Sequence, residues 1–137
     1  MSKPRTKSPT PDWTFIRARG NALPPVAFDF VRDGLSHTVA KLHGSKDDVA
    51  VAQRAEARHV SGRDLCLGLR DLAVRRYGLL APTVLRSWGV RTTADFGVIV
   101  YTLIDRQELK PSDDDRFDDF VDVYQFDEAF APEQALV

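Results

Sequence analysis

Residues 61–77 carry the pattern that most constrains this chain. Ser61 stands three residues before Asp64 at the head of an apolar run. That spacing is a weaker relative of the capping box, in which the Ser61 oxygen takes up a backbone N–H that the first turn of a helix leaves orphaned. Leu65, Cys66, Leu69, Leu72, Ala73 and Tyr77 then recur at steps of three and four, and Gly78 closes the run. Leu67 and Val74 fall on the far side. A helix that is apolar on two sides needs cover on two sides, so residues 61–77 are expected at the centre of a helical domain.

The flanking segments follow the same period. Pro24 and Pro25 suit the opening of a helix, where a missing N–H costs nothing, and Phe28, Val31, Leu35, Val39 and Leu42 form one stripe ending near Gly44. Phe30 and His37 lie opposite that stripe, as a partner-binding patch or, the preferred reading, against a second core surface. Residues 45–58 show no stripe and read as a loop or an exposed helix. Leu79 to Trp88 is a short helix with Pro82 in its first turn, Val84, Leu85 and Trp88 pointing inward, and Gly89 at its end. Thr92-x-x-Asp95 repeats the capping logic ahead of a stripe of Phe96, Ile99, Val100, Leu103 and Ile104.

Beyond residue 108 the period changes. FVDVYQF, residues 120–126, is β-branched and aromatic and predicts a strand, with Leu109–Lys110 as its short partner and the acidic loop between them as a hairpin tip. The expected fold is therefore mostly α with a small C-terminal β-hairpin, an α+β chain of winged helix-turn-helix type. Residues 1–22 read as a basic, flexible N-terminal arm in which Trp13, Phe15 and Ile16 dock on the core. Residues 23–130 read as the single domain and 131–137 as a tail.

The blocks RHVSG (58–62), YGLLAPTVLRSWGV (77–90), T-x-DFG-x-IV (93–100) and DF-x-x-x-YQF-x-x-AF (119–130) resemble a small uncharacterised bacterial family largely confined to planctomycetes and verrucomicrobia. The resemblance covers about residues 24–130. It implies a bacterial source and a domain that stands alone, and it implies no activity, cofactor or catalytic residue.

Charge is divided along the chain. Residues 1–104 hold 16 of the 19 Lys/Arg and 9 of the 20 Asp/Glu, whereas residues 105–137 hold 3 and 11, within a net charge of −1. The two poles either pair with each other or face different partners. A chain of 137 residues is long enough for one domain with a real core. No apolar run approaches the roughly 20 residues of a membrane span, and MSKPRTKSPTP lacks the apolar stretch of a secretory signal. The lone Cys66 reads as a small buried hydrophobe. These features predict a cytoplasmic protein without a membrane partner.

Chemistry is hard to assemble from these residues. Asp95-Phe96-Gly97 matches the metal-binding tripeptide of kinases, but the Gly-rich loop and His-Arg-Asp loop are missing. The acids at Asp113, Asp114, Asp115, Asp118 and Asp119 are consecutive and lack the glycine and alternate spacing of a calcium loop. His37, His43 and His59 form no zinc spacing. His59 near Ser61 and Asp64 invites a hydrolase triad, yet Ser61 is already accounted for as a cap. No cofactor is expected.

For a nucleic-acid reader the signs are wrong. The outer face of the 93–107 helix would carry Asp95, Val98, Tyr101, Thr102, Asp105 and Arg106, and the wing would be acidic, repelling phosphate. The expected function is a non-catalytic protein-interaction or adaptor module for an unidentified, acidic protein partner. Its candidate surface comprises Arg63, Arg70, Arg75 and Arg76 together with Asp113, Asp114 and Asp115. The alternative is a nucleic-acid-binding accessory protein acting through the basic arm and the Arg-rich helix.

Overall fold

The computed structural model describes residues 11–43, 60–110 and 116–131. Helix α1, Trp13–Asn21, starts where the Asp12 carboxylate accepts the Phe15 N–H at 3.1 Å. Helices α2 (Pro25–His43) and α3 (Gly62–Tyr77) follow, and then a 3-10 turn (Gly78–Leu80) leads into α4 (Ala81–Ser87). Helix α5 is Thr93–Asp105, a second 3-10 turn spans Phe117–Phe120, and α6 is Phe126–Ala129. Both predicted caps form: Ser61 Oγ accepts the Asp64 N–H at 3.0 Å, and the Asp95 carboxylate accepts the N–H groups of Arg91 (2.8 Å) and Thr92 (3.2 Å).

The centre of the fold is α5, not α3. Every residue from Asp95 to Leu103 is buried. The face expected to meet solvent is covered by α1, where the Trp13 and Tyr101 rings lie 6.0 Å apart and Gly20 seats against Thr102. The segment expected in a flexible arm thus belongs, from Trp13 onward, to the packed domain. Two links pin it: Arg17 to Asp105 at 2.8 Å, and Arg19 to both the Gly89 carbonyl (2.9 Å) and Asp95 (3.1 Å). On α3 the predicted face of Leu65, Cys66, Leu69, Leu72 and Ala73 is buried, whereas Leu67 stays exposed.

Helix α2 is two-sided. Phe28, Val31 and Val39 enter the main core, and Phe30 packs with Trp88 (5.5 Å between centroids) and Tyr77 (6.4 Å). The second core surface therefore exists, and the Phe30–His37 patch does not: Phe30 is buried and His37 turns to Asp71 of α3 at 2.7 Å.

The predicted C-terminal β-hairpin is wrong, and the winged-helix assignment falls with it. Among the described residues there is no strand. Residues 117–130 form two short helical turns that wrap α5. Phe120 sits on Gly97, where an added Cβ would come within 2.8 Å of the Phe120 Cβ. The backbone groups a strand would spend on a neighbour go to one side chain: Thr93 Oγ1 donates to the Phe120 carbonyl at 2.6 Å and accepts the Val123 N–H at 3.2 Å. Asp122 then takes φ 54°, which breaks an extended path. The aromatics at 117–130 serve as anchors, with Phe130 edge-on to both Tyr124 and Phe126 and those two rings tilted against each other. A helix buried from Asp95 to Leu103 has no free face to lay in a DNA groove, so α5 is not a recognition helix.

Candidate interaction groove

The end of α5 builds a concave surface. Gln107 adopts φ 64°, and the N–H groups of Glu108 (2.8 Å) and Leu109 (3.3 Å) both return to the Leu103 carbonyl. This left-handed closure satisfies helix-end acceptors and folds Leu109 back beside the helix. A hollow of about 310 Å³ results, floored by Val31 and Leu35 of α2, Leu65 of α3 and Val100 and Leu103 of α5, with Leu109 as a wall. Arg32 guards its mouth, held by Asp29 (2.9 Å) and in short contact with Glu108. The hollow continues past Leu35, Leu65 and Leu109 into a second one that ends at Lys110 and Arg116. The outcome is an apolar trough with Arg32 and Glu108 at one end and Lys110, Arg116 and Asp119 at the other.

Of the residues singled out from sequence, Arg63, Arg70, Arg75 and Arg76 all lie on α3, in different surroundings. Arg63 is exposed in the first turn of α3. Arg70 is half-buried near Tyr124, whose hydroxyl donates to the Cys66 carbonyl at 2.7 Å. Burial raises the Tyr124 pKa, and the Cys66 side chain adds to that while the Arg70 charge opposes it. Arg75 reaches Asp71 at 3.2 Å and Arg76 reaches Asp33 at 2.9 Å, so this pair fastens α3 rather than offering free charge. Asp113, Asp114 and Asp115 lie outside the described residues, as do residues 45–58 and His59.

Arg17, Arg19, Arg32, Arg75 and Arg76 pair within the chain, but the partner is only partly the acidic C-terminal segment. Asp105 and Glu108 come from that segment, whereas Asp29, Asp33, Asp71 and Asp95 lie within residues 1–104. Exposed pairs of this kind contribute little stability each, and chiefly neutralise the surface.

Asp71 collects the densest charge cluster, with His37 at 2.7 Å, Arg75 at 3.2 Å and Lys41 at 3.8 Å. Partial burial alone would raise its carboxyl. The His37 hydrogen bond and the charges of Lys41 and Arg75 outweigh that effect and hold it below the usual carboxylate range. Cys66 is fully buried, and burial pushes its thiol up to about 12, far from a reactive thiolate. Among the described residues no group of three or more His, Cys, Asp or Glu side chains is placed to hold a metal ion. Also among them, no helix is long and apolar enough to cross a membrane.

The groove went unseen in sequence because Leu35, Leu65, Val100 and Leu103 register only as core stripes. The one available signal was Gln107-Glu108-Leu109, a helix end followed by an apolar residue. No family model, no curated protein and no solved structure matches this chain.

Proposed function

We propose that the domain is a non-catalytic protein-interaction module, and that its receiving surface is the trough between α2, α3 and α5. The observation that carries this reading is the trough itself: apolar floor, about 310 Å³ in its main hollow, open to solvent between Arg32 and Lys110–Arg116. The occupant that fits is a partner segment with a few apolar side chains flanked by carboxylates, docking as an amphipathic helix does in a groove. Glu108 is engaged with Arg32, which leaves Lys110 exposed for such a carboxylate.

Structural roles for the usual nucleophiles support a non-catalytic reading. Ser61 Oγ caps α3, Thr93 Oγ1 bridges two backbone groups, and Cys66 is sealed in the core. Pairing of Arg75 and Arg76 with their own chain works against the alternative, a nucleic-acid-binding accessory role through the basic arm and α3.

The test is selection of peptides from a random displayed library on the purified full-length chain. Selected peptides are expected to be apolar and acidic, to shift the NMR amide signals of Leu35, Val100 and Leu109, and to lose affinity for Leu109→Glu at unchanged circular dichroism. Failure to select peptides, or shifts confined to another face, would overturn the trough as the site. Binding of a random-sequence duplex that weakens steeply between roughly 50 and 200 mM salt would favour the alternative.

A further inference from the structure

The tip between α3 and α4 is a second surface, on the opposite side of the sequence logic from the trough. Leu79 and Leu80 are 55% and 64% exposed, the highest values among the large apolar side chains of the described residues, and they are adjacent. Gly78 takes φ 54° just before them, and a Cβ there would meet nothing within 4 Å. The turn therefore projects from the body instead of folding over it. Its outward face continues along α4 through Thr83, Arg86 and Ser87, all exposed at helical spacing.

Charge around this tip has one sign in sequence. Residues 72–94 contain Arg75, Arg76, Arg86 and Arg91 and no Asp or Glu. Arg75 and Arg76 are held by Asp71 of α3 and Asp33 of α2, whereas Arg86 meets no carboxylate among the described residues. Trp88 and Tyr77 lie just inside, with ring centroids 6.1 Å apart.

We infer that this tip docks on an anionic lipid surface, Leu79 and Leu80 entering the acyl boundary while Arg86 meets the headgroups. An exposed apolar pair with an unpaired cation on the adjoining helix asks for a surface that yields to it and carries negative charge, and a bilayer needs no matching pocket. The absence of a spanning helix bears on crossing a membrane, not on resting against one. The inference is independent of the trough.

Co-sedimentation of the full-length chain with phosphatidylcholine vesicles, with and without about one third phosphatidylglycerol, tests it. Binding is expected only to the anionic vesicles and is expected to weaken on raising salt. Leu79→Ser/Leu80→Ser should cut the partition coefficient by roughly tenfold or more, and Arg86→Glu should lower it several-fold, both at an unchanged melting temperature because these side chains are exposed. No sedimentation with anionic vesicles, or sedimentation that survives the double serine variant, would overturn the inference. So would a vesicle-indifferent protein whose self-association disappears in that variant, which would assign the tip to a second copy of the chain.

Discussion

Gly68 of α3 and Thr38 of α2 meet so closely that a methyl group on the glycine would lie 1.9 Å from the Thr38 hydroxyl oxygen. That hydroxyl is itself committed to the Gly34 carbonyl at 2.7 Å, and Gly34 in turn receives Leu69 of α3. The two longest helices thus approach each other across two glycines. Gly68→Ala is expected to destabilise the protein by about 1–3 kcal/mol through overpacking. Thr38→Ala in the same chain should recover part of that loss, a coupling that a double-mutant cycle of denaturant unfolding reads directly.

Thr93 holds two backbone groups of the C-terminal wrap with one side chain. Thr93→Val keeps the shape and leaves the Phe120 carbonyl and Val123 N–H without their partner, at a cost of about 1–3 kcal/mol. Hydrogen exchange should show loss of protection concentrated at residues 117–130, with α3 affected less.

Acid should act through Asp71. Its carboxyl is lowered from the ordinary 3.8, so the folded state favours the ionised form. The associated stability is present above that value and is lost as pH falls through the folded pKa. Asp71→Asn should therefore be less stable than the parent near neutrality, by up to about 1 kcal/mol. The gap in melting temperature should close as the pH drops below the carboxylate range.

Alkali should act through Cys66. Its thiol is raised from 9.0 to about 12, so the folded state holds it neutral while the unfolded chain ionises above 9.0. This contribution to stability is complete below pH 9 and declines as pH rises towards 12. Cys66→Ala should flatten that decline at the expense of packing. In the native parent at pH 8, a thiol reagent should react no faster than the protein opens.

Helix identity was legible wherever an apolar stripe began at a polar cap. Ser61 and Asp95 both occupy the positions their spacing predicted, because capping is a local transaction between a side chain and the next few N–H groups. Which helix became central was not legible. Val98, Tyr101 and Thr102 look like an outer face until α1 is known to lie over them, and that placement depends on Trp13, Gly20 and Arg19 meeting residues some 80 positions away. FVDVYQF misled for a related reason: β-branched and aromatic residues suit a pleated surface, but here a side chain from α5 captures the backbone first. The trough was invisible because a stripe residue that faces a hollow and one that faces a neighbour are spelled alike. Whether the arginines pair was left open in sequence, and Arg75 and Arg76 find Asp71 and Asp33 rather than the acidic segment, since charge counts along a sequence carry no geometry.

The enclosure of α5 sets an order on folding during synthesis. Its buried residues from Asp95 to Leu103 leave the ribosome after α1, α2 and α3, yet Phe120, Phe126 and Phe130 that complete their cover come last. Until those aromatics emerge, the most apolar helix of the protein has a naked flank. The nascent chain therefore passes through an interval in which α5 is made but not yet lined, and any premature stop before Phe117 would release a product that displays its own core.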